Sequence, residues 1–397
     1  MNSRENESLV ELQRQWDAIV VGAGPAGALV ARQLAQRGRQ VLLVEKKRFP
    51  RPKVCGACIN ARALSALEIA GLGDLTDRLG GEPLSEVEIL ADARRARVRL
   101  PRSVAVGRSE FDQALALEAV AAGATFRDGV VAKVGPVNET GETREVVLTH
   151  GDELPTTFSA RVVLAADGLP HSCLAHDAEF ASEVVVGSLL GLGATIPASD
   201  YTLQAGVVRM VLGHSGYVGI VRLAGDRLNL AAAVESGSLR KAAGPASLVR
   251  DILQQSKVAV PQGLEVAEWQ GTGALTRTTR QVAADRLLLL GDATGYVEPF
   301  TGEGIAWALC SALRAAPLAE ACIAGTATPE RLARDWHVVH ELEVRRRQAW
   351  CHRLAWVLRS RWRRRLALLL AASLPWLAER VARQMNHRFV PDQLEVS

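Results

Sequence analysis

The feature that most constrains this chain is Gly22-Ala23-Gly24-Pro25-Ala26-Gly27, set between a short apolar run, Asp17 to Val21, and an alanine- and leucine-rich segment reaching Arg37. A second apolar run, Val41 to Val44, ends in Glu45, 23 residues after Gly22. These periodicities read as strand, helix, strand. In that setting the first glycine makes a tight turn, the second lets a pyrophosphate approach the backbone, and the third lets helix pack on strand. Free amides and the positive helix end suit phosphates, and Glu45 suits ribose hydroxyls. Gly187, Gly191 and Gly193 are spaced differently and open no helix. One resident dinucleotide is therefore expected rather than two.

A chain of 397 residues has room for two or three packed units. A strand ending at Asp167 and another ending at Leu290 return to the first sheet, while residues 85–100 and 184–234 read as a separate β-sheet. Expected boundaries are an N-terminal extension at 1–15, the nucleotide domain at 16–80, 102–175 and 276–325, a hairpin at 81–101 and a substrate β-domain at 176–275. A helical cap fills 326–397. Ser109-x-x-Asp112 reads as a capping box for a helix over 111–122, followed by strand runs near 124–134, 144–149 and 161–165. A net charge of +4 with no accompanying motif gives no reason to expect nucleic acid. Six cysteines, only Cys55 and Cys58 close together, do not make a secreted disulfide framework, and residues 1–15 lack the apolar core of a signal peptide. A cytoplasmic location is expected, with no metal site. His337 and His340 have a spacing that could place them on one helix face near Glu341, although solvated surface is the plainer reading.

Two later segments narrow the dinucleotide. Asp167-Gly168 closes one strand, and Gly291-Asp292-Ala293-Thr294-Gly295 leads through Pro299-Phe300-Thr301-Gly302-Glu303-Gly304-Ile305 into a helix. With these motifs the chain resembles the geranylgeranyl reductase-like branch of the flavoprotein hydroxylase (p-hydroxybenzoate hydroxylase) superfamily, over about residues 16–320. The resemblance implies a Rossmann-like FAD-binding domain (glutathione reductase type 2) interleaved with a β-sheet substrate domain, an α/β architecture, and FAD as cofactor. It implies that Asp292 meets the ribityl chain, that Asp167 and Gly168 lie near the pyrophosphate, and that Arg108 contacts the cofactor. Gly22, Gly24, Pro25, Ala26, Gly27, Glu45, Lys46, Cys55, Gly56, Val131, Gly291, Pro299, Gly302, Glu303, Gly304 and Ile305 complete the candidate cofactor set.

Cys55-Gly56 looks like the Cys-Gly of the same branch, which implies a cysteine beside the isoalloxazine, and Cys55 is the candidate catalytic residue. Arg51 and Lys53 are cations able to lower its pKa. Three readings stay open: a flavin-adjacent cysteine, a redox-active Cys55/Cys58 pair, or packing thiols. The aromatic Trp-x-Phe-Pro of the branch is replaced by Gly216-Tyr217-Val218-Gly219-Ile220-Val221, so the substrate wall differs, with Tyr217 and Val221 as candidate substrate residues. A halogenase Trp-x-Trp-x-Ile-Pro is missing. The implied function is FAD-dependent reduction of a C=C bond in a large hydrophobic substrate, isoprenoid or polyketide-like, with electrons from NAD(P)H or a reduced carrier protein. Alternatives are an aromatic monooxygenase acting on a phenolic lipid or polyketide, and a flavin electron carrier without its own substrate.

From Arg345 to Arg365 there are nine arginines and no acid, interleaved with Trp350, Trp356 and Trp362, before the apolar run 366–374. Three readings apply to 345–378: an interfacial contact with an anionic membrane on its inner face, arginine stems covering the protein's own surface while the tryptophans pack on the substrate sheet, or a contact with an acidic protein partner.

Overall fold

The computed structural model describes residues 9–390 apart from 93, 199–200, 299, 301 and 386–387. The apolar runs at the N-terminus become Gln15–Val21 and Val41–Glu45, joined by the helix Pro25–Ala35. Both strands are buried on both faces, which is why they read as continuous apolar runs rather than alternating ones. Thr125–Asp128, Val41–Glu45, Gln15–Val21, Thr156–Ala165 and Leu287–Leu289 form a parallel sheet in that order. Three separated stretches of sequence thus supply adjacent strands of one sheet. An antiparallel pair, Val130–Val137 with Arg144–His150, adds to Thr156–Ala165.

One face of this sheet is covered by Pro25–Ala35, Arg108–Ala121 and the helix Gly304–Ile323, in a core that includes Leu29, Leu34, Phe111, Leu115 and Leu309. Small residues on Pro25–Ala35 permit that close approach: Ala28 and Ala31 are fully buried. Gly304–Ile323 is long and apolar enough to cross a membrane, yet 67% of its most apolar window is buried inside the fold, as expected of a core helix.

The second sheet runs Gln270–Ala274, Leu190–Pro197, Arg227–Val234, Gly216–Leu223, Val207–Leu212, Glu82–Ala91, Arg94–Ala105 and Cys58–Ile59. The hairpin joins the later strands through parallel pairing of Val207 with Glu86, so one sheet is assembled from distant segments. Helix Pro245–Gln255 covers its outer face, burying Leu248, Val249, Ile252 and Leu253. A small three-stranded sheet, Ser182–Val184, Arg277–Thr279 and Gly295–Tyr296, links the two. From Pro329 to Met385 the chain is helical: Pro329–His340, a π-helical turn Glu341–Arg345, Arg346–Arg359, Arg361–Ser373 and Pro375–Met385.

Several local expectations need correction. The helix after residue 107 starts at Arg108 with Gly107 as N-cap and no side-chain cap, so Ser109 sits inside the first turn and makes no capping box. The run near 124–134 is two strands, broken at Gly129, whose φ of +71° turns the chain out of the parallel sheet. Strand Arg94–Ala105 continues past the expected boundary at 101. The N-terminal extension is anchored where described, because Leu9 is buried with Trp16 and Phe158. His337 is exposed, but His340 is buried, so the solvated-surface reading holds for His337 and not for His340. All six cysteines are free thiols.

Candidate functional site

The carboxyl ends of the parallel strands open on a pocket lined by Val21, Gly22, Glu45, Lys46, Val131 and Asp167. This is where open α/β sheets bind ligands. Ser172 and Cys173 close its far side. Glu45 latches the two strands: Oε2 accepts the Ala23 N–H at 3.1 Å and Oε1 accepts the Lys47 N–H at 3.1 Å. Asp167 Oδ2 accepts the Cys173 N–H at 2.9 Å, whereas its buried Oδ1 accepts no hydrogen bond and faces His171 Nδ1 at 3.8 Å. Lys46 Nζ donates to Ser172 Oγ at 3.2 Å, setting a cation at the pocket mouth.

The glycine turn fits a diphosphate. Gly22 has φ +99°, and a Cβ there would lie 2.4 Å from the Ala166 carbonyl oxygen. A Cβ at Gly27 would lie 1.8 Å from the Gly22 carbonyl oxygen, so no other residue lets this helix meet this strand. At Gly24 the nearest atom to such a Cβ is Arg51 Nη2, at 3.7 Å, leaving the approach to the helix start open. Helix Pro25–Ala35 has no side-chain cap at that end, so its first amides are available to an anion. Gly291 (φ +59°) brings the Asp292 turn against Ala26. Lys53 Nζ stands 3.7 Å from Asp292 Oδ2 and close to Gly168, tying the two later motifs together.

The other end of the site is built by the start of helix Gly304–Ile323, again without a side-chain cap. Gly302 has φ +72°, and a Cβ there would come within 3.6 Å of Cys58 Cβ; Gly304 faces the Tyr296 ring. Cys55 is held by its carbonyl, which accepts the Asn229 side-chain amide at 2.9 Å. Arg108 grips Asp112 through two 2.8 Å bonds and sets its charge near Cys55. Burial pulls the Arg108 guanidinium down, but Asp112 and Cys55 outweigh it and hold it above its ordinary value. Burial, then the neighbouring Cys55, push the Cys58 thiol up to about 12. The two sulfurs therefore sit in unequal surroundings, Cys55 beside a cation and Cys58 in apolar packing that leaves it protonated.

The model of the FAD binding domain family matches residues 15–335. The chain belongs to that FAD binding domain family. Digeranylgeranylglycerophospholipid reductase of Methanoculleus marisnigri is 28% identical over 342 residues, covering 79% of this chain and 78% of that protein. Menaquinone reductase of Mycobacterium tuberculosis is 30% identical over 325 residues, 76% of each. Among solved structures, the flavin-dependent brominase Bmp2 superposes with a TM-score of 0.76 at 18% identity over 94% of this chain and 93% of that one. A flavoprotein/dehydrogenase from Cytophaga hutchinsonii gives 0.72 at 18%, over 94% and 98%. At such identity the structures speak for the fold alone. The chain is an FAD-dependent oxidoreductase.

The family fits the residues present: Asp167 Oδ1, buried with no hydrogen bond, and two uncapped helix starts offer an acceptor and amide donors of the kind FAD needs. The structure brings Gly22, Gly24, Glu45, Lys46, Val131, Asp167, Gly168 and Asp292 around one cleft. Gly56 is exposed beside Cys55. Pro25 and Ala26 form the helix start, while Ile305 is buried in the core behind the flavin end. Glu303 is turned inward: Oε1 accepts the Asn60 amide at 3.3 Å and the residue is only 2% exposed, so it supports the turn from behind. Pro299 lies outside the described residues. Arg108 faces Cys55 and Asp112, so it is the cation at the thiol. Arg51 instead bridges Glu45 at 3.3 Å and Asp112 at 3.4 Å behind the glycine turn, and Lys53 reaches Asp292. Sequence reasoning gave those two cations to Cys55 because they are its nearest charges along the chain. Ser172 and Cys173 were missed, and nothing in their local pattern marks them.

Proposed function

We propose that this FAD-dependent oxidoreductase reduces a carbon–carbon double bond of a large hydrophobic substrate, isoprenoid or polyketide-like, using electrons from NAD(P)H or a reduced carrier protein. The observation that carries the reading is the buried apolar face that the second sheet packs on the Cys55–Cys58 turn, at the flavin end. Val208, Met210, Val221 and Leu223 of the second sheet form one cluster with Leu84 and Ala57, and Cys58, Tyr217 and Phe300 pack against it. Tyr217 and Phe300 meet edge to face at 5.3 Å. The relatives named as reductases of digeranylgeranylglycerophospholipid and of menaquinone support the same reading.

When bound and reduced, FAD supplies hydride at its N5. The protein's part is to hold the double bond against the wall and keep water from it. The Tyr217 hydroxyl holds a proton there: burial first, then Glu298, push its pKa up, with Arg359 opposing, so it stays protonated. Asn229 fixes the Cys55 backbone at the edge of the turn, with the Arg108 charge nearby.

The test is an anaerobic single turnover. Protein with dithionite-reduced FAD is mixed with a polyprenyl lipid, and flavin reoxidation is followed beside product mass. The reading expects reoxidation without oxygen and a product heavier by two hydrogens per reduced bond. A product that gains an oxygen atom, only when oxygen is admitted, would make the chain a hydroxylase. Reoxidation by carrier proteins alone would make it an electron carrier.

A further inference from the structure

We propose that the helices Arg346–Arg359, Arg361–Ser373 and Pro375–Met385 form a docking surface for an anionic phospholipid bilayer. Residues 345–378 contain nine arginines and neither aspartate nor glutamate. Helix Arg361–Ser373 has two apolar faces with different fates. Leu368 is buried against Ala91, Ala96 and Leu212 of the second sheet. On the opposite side Trp362, Leu366, Leu369 and Leu370, spaced i, i+4, i+7 and i+8, are 67%, 49%, 46% and 46% exposed. That spacing makes one continuous stripe. Trp356 on the preceding helix and Trp376 on the following one are each 59% exposed. A soluble monomer rarely leaves such a patch in water.

The charge pattern chooses the occupant. The Arg363 guanidinium lies 3.5 Å from the centre of the Trp356 ring, a cation and an amphipathic aromatic at one depth, as at a headgroup boundary. A second copy of the chain would set helices of residues 346–385, whose one acid is Glu379, against themselves, which like-charge repulsion opposes. Arg361–Ser373 has 13 residues, too few to span a bilayer, so the helix lies on the surface. Not all arginines are free for lipid: Arg364 donates to the Gly213 carbonyl at 3.0 Å and Arg365 reaches Asp92 at 3.2 Å, fastening the helix to the sheet, while Arg359 pairs with Glu298 at 3.3 Å and Arg345 with Glu341 at 3.5 Å.

The surface also lies at the right place. The cluster holding Leu368 touches Tyr217 and Phe300, so a single helix separates the bilayer-facing stripe from the proposed substrate wall. The use of the surface for substrate delivery rests on the proposed apolar substrate; vesicle binding does not.

Full-length protein is sedimented with vesicles of phosphatidylcholine alone or with added phosphatidylglycerol, at low and high salt. We expect binding to the anionic vesicles that salt weakens. Arg353→Gln with Arg361→Gln should lower it about tenfold to thirtyfold, at about fivefold for each charge removed. Leu369→Asp with Leu370→Asp should abolish the part that survives salt. Both pairs are exposed and are read only with FAD content and melting temperature at wild-type values. No sedimentation at any salt overturns the proposal, as does equal binding to the neutral vesicles. A concentration-dependent dimer that Leu369→Asp and Leu370→Asp dissolve also overturns it, because the stripe is then a contact between copies. Turnover of a detergent-dispersed polyprenyl lipid separates the two claims: its loss in wild type with vesicle binding intact condemns the reaction, not the docking.

Discussion

Asp292 and Lys53 stand 3.7 Å apart at the mouth of the cofactor cleft, where each retains hydrogen-bonding capacity for a ligand. A hydrogen bond to the ribityl chain is worth about 0.5 to 1.5 kcal/mol net. Asp292→Ala should accordingly weaken FAD binding about threefold to tenfold, measured by fluorescence titration of the resolved protein. The unequal settings of the two thiols predict unequal mutants. Cys55→Ser, beside Arg108, should change the flavin spectrum or the rate of substrate reduction; Cys58→Ser should leave both near wild type. Equal losses, with a disulfide found by thiol titration, would instead indicate a dithiol mechanism. Glu303 gives a prediction in pH. Burial raises its carboxyl to about 7 against the pull of Arg347 and Arg62. In the window between the ordinary value of about 4.5 and 7, the unfolded chain releases a proton that the folded chain keeps, so stability falls as pH rises. Glu303→Gln should remove that decline, whose full size is of the order of 3 kcal/mol. Denaturant midpoints at pH 5.5 and 8 compare the two proteins, and an identical pH slope in both would contradict the burial argument. The motif residues around the cleft were legible because turn chemistry restricts them to a few types. The partners of Arg51, Lys53 and Arg108 were not, since a single charge in a loop carries no period that says which neighbour in space it meets.

At the scale of elements, the close approach of helix Pro25–Ala35 to its strand rests on Gly27, and the open phosphate side on Gly24. These two glycines should respond differently to alanine. Gly27→Ala drives a Cβ into the Gly22 carbonyl and should lower stability by about 1 to 3 kcal/mol or more while stripping FAD. Gly24→Ala has room in the fold, with Arg51 Nη2 the nearest atom at 3.7 Å, and should keep the denaturation midpoint while losing FAD affinity, because a methyl group narrows the helix start where backbone and pyrophosphate meet. A denaturant titration paired with FAD content per chain checks both. Strand, helix, strand was readable here because every position obeys one pattern. The helix start at Arg108 was misplaced because Ser109-x-x-Asp112 imitates a capping box, whereas Asp112 is fully buried and committed to Arg51 and Arg108. Tertiary demand overrode the local signal. Likewise the sequence displayed the arginines and tryptophans of the C-terminal helices but not their sides. Arg364 goes inward only because the Gly213 carbonyl and Asp92 wait there, and both come from turns distant in sequence.

Over the whole molecule, the second sheet presses its apolar face on the Cys55–Cys58 turn and on Phe300, while the parallel sheet aims its strand ends and two uncapped helices at the same cleft. Three separated blocks of sequence meet in the parallel sheet, and their convergence was legible because each strand ends in a glycine-bearing turn. The wall above the cleft was legible only as a departure, since β-strands of small and branched residues look alike whatever they face. Everything argued about chemistry depends on that convergence making a single FAD cradle. The most direct measurement is titration of the purified, resolved protein with FAD, following the flavin absorbance to saturation. The account predicts a yellow protein that takes up one FAD per chain. Protein that is isolated colourless, folded by its melting transition, and unable to take up FAD at any concentration would contradict it.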